Sequence, residues 1–135
     1  MEEAAFSLES YRFTRASFNF DIPAKAHLEV DFNPRGEYSA QEGTYELCFD
    51  VTIKCEETHT NVIQMTCVAN FRFNMPLKLE EIPTFFYPNS LAILFPYVRA
   101  FVSTLSLQAN VRPVMLPTIN LMGLTDRLRA QTIQI

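Results

Sequence analysis

Two long runs of alternating apolar and polar residues constrain the fold of this 135-residue chain more than any other feature. In residues 45–55 the odd positions are apolar and the even positions are mostly polar, and residues 63–75 repeat the pattern. Alternation with a period of two is typical of a strand with one buried face. The polar residues 56–61 between the runs indicate a turn. We therefore predict an antiparallel hairpin whose register keeps the odd positions on one apolar face.

A helix with two apolar sides is predicted after this hairpin. Pro88 precedes Asn89 and Ser90, whose side chains can accept unpaired N–H groups of a first turn, so a helix start is expected there. One helical face then carries Leu91, Leu94, Phe95, Val98, Phe101, Val102 and Leu105. The remaining surface is also largely apolar, with Ala92, Ile93, Tyr97, Ala100 and Leu107. One apolar face is enough to cover the protein's own core. The second apolar face therefore predicts a contact with another partner.

The N-terminal third predicts a strand followed by a long connection. Apolar positions change phase along residues 6–22, which suggests bulges or bends in a strand that ends at Pro23. Residues 24–43 then form a connection with an apolar stripe, Leu28, Val30 and Phe32. Long connections in compact domains are often functional. Two interpretations stay open for the stripe: a short extra strand or lid packed on the core, or a contact with a ligand.

Composition and charge narrow the function classes. A hydrophobic content of 48% in 135 residues predicts a single globular domain over residues 1–135. The formal net charge of -4 disfavours nucleic acids and anionic membranes as main ligands. The acidic start lacks a signal-peptide pattern, and no continuous apolar run approaches the about 18 residues of a membrane span. We expect a cytoplasmic protein without membrane insertion.

The sequence offers no recognisable catalytic or metal-binding pattern. Cys48, Cys55 and Cys67 lie in strand-like runs, outside any CxxC or Cys/His ligand spacing, and are interpreted as packing residues. The two histidines are far apart in sequence, and the three glycines form no phosphate-binding loop. We therefore expect a protein that is not an enzyme and that uses neither a metal nor a cofactor.

The predicted helix resembles a known segment of the SecB family of protein-export chaperones. The similarity lies in Tyr-Pro-Asn at 87–89, Leu-Phe-Pro-Tyr at 94–97, and Arg99. Downstream, Pro-Val at 113–114, Leu-Pro at 116–117 and Ile-Asn-Leu at 119–121 look like the proline-bearing segment before the family's second helix. Residues 18–23 resemble the end of its first strand, so the resemblance covers residues 6–130.

This resemblance implies an α+β fold, a four-stranded antiparallel sheet with two helices packed on one face. It also implies an ATP-independent holdase that assembles as a dimer of dimers and binds unfolded polypeptides in apolar grooves. The family's grooves match the connection and the segment before the helix, so the expected peptide-binding residues are Leu28, Val30, Phe32, Phe85, Phe86 and Tyr87. The expected oligomer interface is Ala92, Tyr97, Ala100 and Leu107.

Two departures from the export chaperones affect the predicted partners. The acidic positions that dock the translocase ATPase SecA fall near Ser17, Asp21 and Thr66, and only Asp21 is acidic. Residues 126–135 form a mildly basic, apolar segment in place of the family's acidic tail. Asp21 is thus the candidate docking residue for SecA. The expected clients are preproteins or, as in some SecB-like proteins, an antitoxin of a toxin–antitoxin system; a general holdase is a third possibility.

Two other classes of function remain as alternatives. An adaptor could bind one folded partner through the polar sheet face, which carries Gln64, Thr66, Asn70 and Arg72. An enzyme or small-ligand carrier would need a preformed pocket with converging polar groups, which the scarcity of histidine, glycine and paired acids disfavours.

Overall fold

The computed structural model describes residues 5–116 and 121–135. The elements are β1 (Phe6–Phe18), β2 (Leu28–Ser39), β3 (Thr44–Cys55), β4 (Asn61–Phe73), a short 3-10 helix (Leu79–Glu81), α1 (Phe86–Gln108), α2 (Leu121–Ala130) and β5 (Thr132–Gln134). The strands form one sheet in the order β1-β4-β3-β2-β5. The four long strands pair antiparallel, and β5 pairs in parallel with β2. This confirms the predicted α+β fold; β5 is an addition that the sequence did not predict.

The central hairpin, β3 and β4, has the predicted register. Tyr45 pairs with Phe71, Leu47 with Ala69 and Val51 with Met65, so odd positions lie opposite odd positions. All of these side chains are buried. The alternation in the sequence therefore encodes a sheet with one face in the core and the other mostly half-buried or exposed.

Strand β1 has the irregularities that its sequence predicted. Its register against β4 shifts between Leu8 and Ser10 and again between Phe13 and Arg15. Because of the first shift, Tyr11 and Phe13 lie on the same side of the sheet as Phe6, the side on which α1 lies. The strand ends at Phe18, before the predicted end at residue 22.

The connection predicted for residues 24–43 is mostly a full strand. β2 has twelve residues and pairs with β3 along its whole length, from Leu28 opposite Cys55 to Ser39 opposite Thr44. The apolar stripe is therefore the core-facing side of a sheet strand, and the prediction of a short strand or lid is wrong in length. Only residues 19–27 connect β1 to β2.

Helix α1 begins three residues earlier than its sequence signal suggested. Its N-cap is Phe85, which makes no side-chain capping bond, and Pro88 falls in the first turn. A proline is tolerated there because the first N–H groups of a helix have no intrahelical partner. The Ser90 hydroxyl donates instead to the Tyr87 carbonyl, at 3.0 Å, within the helix. The predicted capping role of Asn89 and Ser90 is therefore wrong.

One side of α1 covers the sheet, and much of the other side is exposed. The sheet-facing residues Phe86, Leu91, Leu94, Val98 and Val102 are at most 2% exposed. By length and composition the helix could cross a membrane, with a mean hydropathy of 1.5 over 18 residues. Of the residues in that window 33% are buried, and the exposed apolar side chains of the helix include Ile93, Tyr97 and Leu107.

The C-terminal elements close the edge of the sheet at β2. Leu128 of α2 is fully buried, and Arg127 donates to the Phe32 carbonyl. The hydroxyls of Tyr45 and Thr132 lie 2.6 Å apart. The Tyr45 ring reaches Thr132 by passing over Gly36, where a Cβ atom would lie 1.9 Å from the phenol oxygen. Gly36 is thus required by close packing.

Candidate functional site

An apolar groove lies between the loop after β1 and the segment after α1. Its volume is about 540 Å³. One wall is formed by the β1–β2 loop and the start of β2, the other by residues 111–116, and the fully buried Val62 lies between them. The lining residues are Phe20, Ile22, Pro23, Ala24, Ala26, Leu28, Val30, Val62, Val111, Arg112, Pro113, Val114, Met115 and Leu116. We call this the apolar groove, the loop side its first wall and residues 111–116 its second wall.

The first wall is shaped by local backbone hydrogen bonds. The Ile22 N–H donates to the Phe20 carbonyl at 3.0 Å, and the Asn19 N–H donates to the Val62 carbonyl at 2.9 Å, which joins the loop to β4. Phe20 stacks on Phe18 with ring centroids 5.0 Å apart. Because Phe18 is 54% exposed, the aromatic surface continues beyond the groove along β1.

The second wall has no regular secondary structure and is held to α1 by serines. The Val114 N–H donates to Ser106 Oγ at 2.9 Å, and the Val111 N–H donates to the Ser106 carbonyl at 3.2 Å. Leu116 is 1% exposed and anchors the far end of the wall in the core. Met115, between these anchors, is 67% exposed and lies at the rim of the groove.

The side chains that line the groove offer mainly hydrophobic contact, and backbone groups supply most of its polar surface. Arg112 is the one charged residue in its lining. Among residues 5–116 and 121–135, no group of three or more His, Cys, Asp or Glu side chains could hold a metal ion. Burial raises the pKa of Cys67 to about 11, so this thiol stays protonated at neutral pH and is a poor nucleophile. Such a surface is suited to apolar segments of a chain, because hydrophobic contact is non-directional.

The expected peptide-binding residues of β2 separate into two environments. Leu28, 37% exposed, and the half-buried Val30 line the groove. Phe32 points into the core, where its ring lies 5.6 Å from Phe49 and 5.8 Å from Phe95. With 9% of its surface exposed, Phe32 is a core residue, and its predicted role in peptide binding is corrected.

The expected peptide-binding residues before the helix lie away from the groove. Phe86 is fully buried in an aromatic cluster, with its centroid 4.6 Å from that of Tyr45, and Tyr87 is 5% exposed beneath Arg129. Both are core residues, which corrects the prediction. Phe85 is 48% exposed, but it lies beside Phe6 in a separate shallow depression at the start of α1.

The residues expected at the oligomer interface share the exposed side of α1. Tyr97 is 41% exposed and Leu107 59%, and Ala92 and Ala100 are exposed as well. Tyr97 stacks on Tyr11 of β1 with centroids 4.2 Å apart, which extends this apolar surface from the helix to the edge strand. The structure thus brings the four residues onto one surface; their role in assembly stays a prediction.

Of the three expected docking positions, Ser17, Asp21 and Thr66, Asp21 carries the one carboxylate. Asp21 is exposed in the loop after β1, where its N–H donates to Asn19 Oδ1 at 3.0 Å. Thr66 donates to Asp50 Oδ1 at 2.7 Å, and Asp50 also pairs with Arg35. Asp50 is an acidic residue of the polar sheet face that the sequence analysis did not single out, and its charge is neutralised by Arg35.

Most of the groove was missed because its two walls are distant in sequence and the second wall has no periodic pattern. Phe20 and Ile22 were assigned to a strand, and residues 111–116 were noted only for their resemblance to a family segment. The available signal was the combination of proline and apolar residues in both segments, Pro23 in one and Pro113 in the other. The resembling residues 117–120 lie outside the described part of the chain.

Comparison with known proteins agrees with this architecture. The family described as "Preprotein translocase subunit SecB" matches residues 6–132. The protein-export protein SecB of Zymomonas mobilis is 31% identical over 118 residues, covering 85% of this chain and 70% of that protein. A protein of Methanocaldococcus jannaschii with no assigned function is 50% identical over 46 residues, 34% of this chain. That match spans 30% of the archaeal protein's length.

A solved structure has the same fold. The SecB-like chaperone of Mycobacterium tuberculosis, in complex with a ChAD peptide from the HigA1 antitoxin, superposes with a TM-score of 0.71 and 15% sequence identity. The superposition covers 86% of this chain and 88% of that chain. Together with the family match over residues 6–132, this confirms the resemblance found in the sequence. The chain belongs to the SecB family.

Proposed function

We propose that this protein is an ATP-independent holdase that binds unfolded polypeptides in the apolar groove. The observation that carries the proposal is the groove itself, a cleft of about 540 Å³ whose lining is apolar apart from Arg112. An unfolded chain exposes apolar side chains that a folded protein hides. A groove lined almost entirely by apolar side chains binds such side chains in many sequence contexts, because the gain depends mainly on the apolar area removed from water.

Membership of the SecB family supports a chaperone role, and the peptide bound to the Mycobacterium tuberculosis relative is consistent with client binding on this fold. We propose preproteins or an antitoxin as clients and the cytoplasm as the location. Asp21 remains the proposed docking residue for SecA. Because Ser17 and Thr66 are uncharged and Asp50 is paired with Arg35, we propose that SecA binds this face weakly.

The exposed side of α1 is proposed to be covered by other copies of the chain, in a dimer of dimers. Isolated apolar residues are normal on protein surfaces, but a contiguous patch marks an interface. Ile93, Tyr97 and Leu107 are all at least 38% exposed on one side of the helix. A symmetric assembly would remove this patch from water.

The proposal is tested by suppression of aggregation. An aggregation-prone enzyme denatured in guanidine is diluted into buffer without nucleotide, and light scattering is followed with and without the protein. Met115→Asp places a carboxylate at the groove rim, where Met115 is 67% exposed, and is expected to abolish protection. The matched control is Met75→Asp, because Met75 is 58% exposed and lies outside the groove lining.

The wild-type protein and Met75→Asp are expected to suppress scattering equally at the same protomer concentration. Absence of protection by the wild type would reject the holdase, and equal protection by Met115→Asp would place the client surface elsewhere.

A further inference from the structure

Two serines of α1 hold one residue of the second wall by both of its backbone groups. Val114 donates its N–H to Ser106 Oγ at 2.9 Å, and its carbonyl accepts the Ser103 hydroxyl at 3.4 Å. Ser103 and Ser106 are three residues apart, so their side chains lie on the same side of the helix. We call this arrangement the serine clamp.

Ser106 is placed to accept a hydrogen bond from outside its own helix. It is fully buried, and its hydroxyl can donate to the Ser103 carbonyl at 2.9 Å or to the Val102 carbonyl at 3.2 Å. Because the hydroxyl proton is used within the helix, a lone pair of the oxygen remains free to accept from the Val114 N–H. A buried helix serine usually bonds only to the preceding turn.

Ser90, in the same helix, is a buried serine that bonds only to the preceding turn. It is also fully buried, and its hydroxyl donates to the Tyr87 carbonyl at 3.0 Å, its one hydrogen bond to another residue in the described part of the chain. The difference between the two serines is therefore the bond to Val114, which reaches the wall of the groove.

We propose that Ser106, assisted by Ser103, is a positioning residue for client binding: the clamp fixes the second wall so that the groove is open before a client arrives. The inference rests on the proposed function and deepens it. The second wall has no regular secondary structure of its own, so without the clamp residues 112–115 sample many conformations. A client would then have to order the wall as it binds, and that entropy cost lowers its affinity.

The test compares Ser106→Ala with Ser90→Ala in the full chain. Affinity for a short fluorescent apolar peptide is measured by anisotropy well below the unfolding temperature of each variant. Hydrogen exchange of the Val114 amide is measured with and without the peptide. We expect Ser106→Ala to bind about five- to tenfold more weakly, as the loss of one buried hydrogen bond implies. The Val114 amide should exchange faster in the free variant and regain protection when the peptide binds.

Ser90→Ala is expected to keep wild-type affinity and wild-type exchange at Val114, even if it lowers stability as much as Ser106→Ala does. A purely structural role for Ser106 predicts lower stability for both variants with equal peptide affinity. That result would overturn the proposal, as would unchanged exchange at Val114 in Ser106→Ala.

Two further outcomes separate this inference from the proposed function. If the wild type binds no peptide, the proposed function fails, and the exchange of Val114 in the free protein still decides whether the clamp fixes the wall. If Ser106→Ala does not fold, Ser103→Ala removes the bond to the Val114 carbonyl at a half-buried position. A smaller loss of affinity in the same direction is expected, and no loss would overturn the proposal.

Discussion

Replacement of Gly36 by alanine tests how α2 and β5 are joined to the sheet. The new Cβ atom would lie 1.9 Å from the Tyr45 hydroxyl oxygen and 2.3 Å from the ring carbon that bears it. Neither atom can move aside easily, because the Tyr45 side chain is fully buried. The phenol must move, or β2 must shift away from it.

The magnitude follows from two terms. Overpacking a well-packed core costs about 1–3 kcal/mol. If the Tyr45 hydroxyl is forced from Thr132, a buried polar group loses its partner, which costs about 1–3 kcal/mol more. We therefore expect Gly36→Ala to lower the free energy of unfolding by roughly 2–6 kcal/mol, a large part of the stability of a domain this size.

The assay is urea unfolding followed by far-ultraviolet circular dichroism. The control is Gly123→Ala in α2, where the added Cβ meets no atom within 4 Å. That variant should be unchanged or gain about 0.5–1 kcal/mol, because alanine is the better helix former. If Gly36→Ala matched the wild type within about 0.5 kcal/mol, the packing of Tyr45 across Gly36 would be refuted.

Three further predictions test the groove, the assembly and the core. Leu28→Ser should weaken peptide binding about fivefold, as measured by anisotropy titration. Phe85→Ser, at a comparably exposed site outside the groove, should leave the peptide affinity unchanged. Tyr97→Glu should dissociate the oligomer without loss of helix content, because it buries an unpaired charge at the proposed contact, and light scattering with circular dichroism checks this. The raised pKa of Cys67, about 11 against 9.0 when unfolded, means that only the unfolded state loses this proton between pH 9 and 11. The free energy of unfolding should therefore fall across that range. Urea melts at pH 8 and 10 should show a smaller decrease in the free energy of unfolding for Cys67→Ala than for the wild type.

The fold was largely predictable because its signals are local. The alternation in residues 45–55 and 63–75 specifies which face of each strand is buried, and burial of that face fixes the register. The start of α1 was mispredicted for a local reason too. Asn89 and Ser90 look like caps, but Pro88 fits inside a first turn, so the helix extends back to Phe86.

The apolar groove was predicted only in part because it depends on tertiary contacts. Leu28 and Val30 were found through their alternation, but their partners at 111–116 are distant in sequence and reach them only when α1 packs on the sheet. Apolar character alone did not distinguish Phe85, which is exposed, from Phe86, which is fully buried next to it. The clamp at Ser106 was also not predictable, because its acceptor role depends on where the chain passes after α1.

The central proposal is that the apolar groove binds unfolded chains selectively. The direct measurement is binding of the purified protein to one polypeptide held unfolded and to the same polypeptide folded, with the mass of each complex determined by light scattering. The account predicts a complex of an oligomer with the unfolded form and no complex with the folded form. Equal binding of both forms, or binding of neither, would contradict it and favour an adaptor that uses the polar face of the sheet.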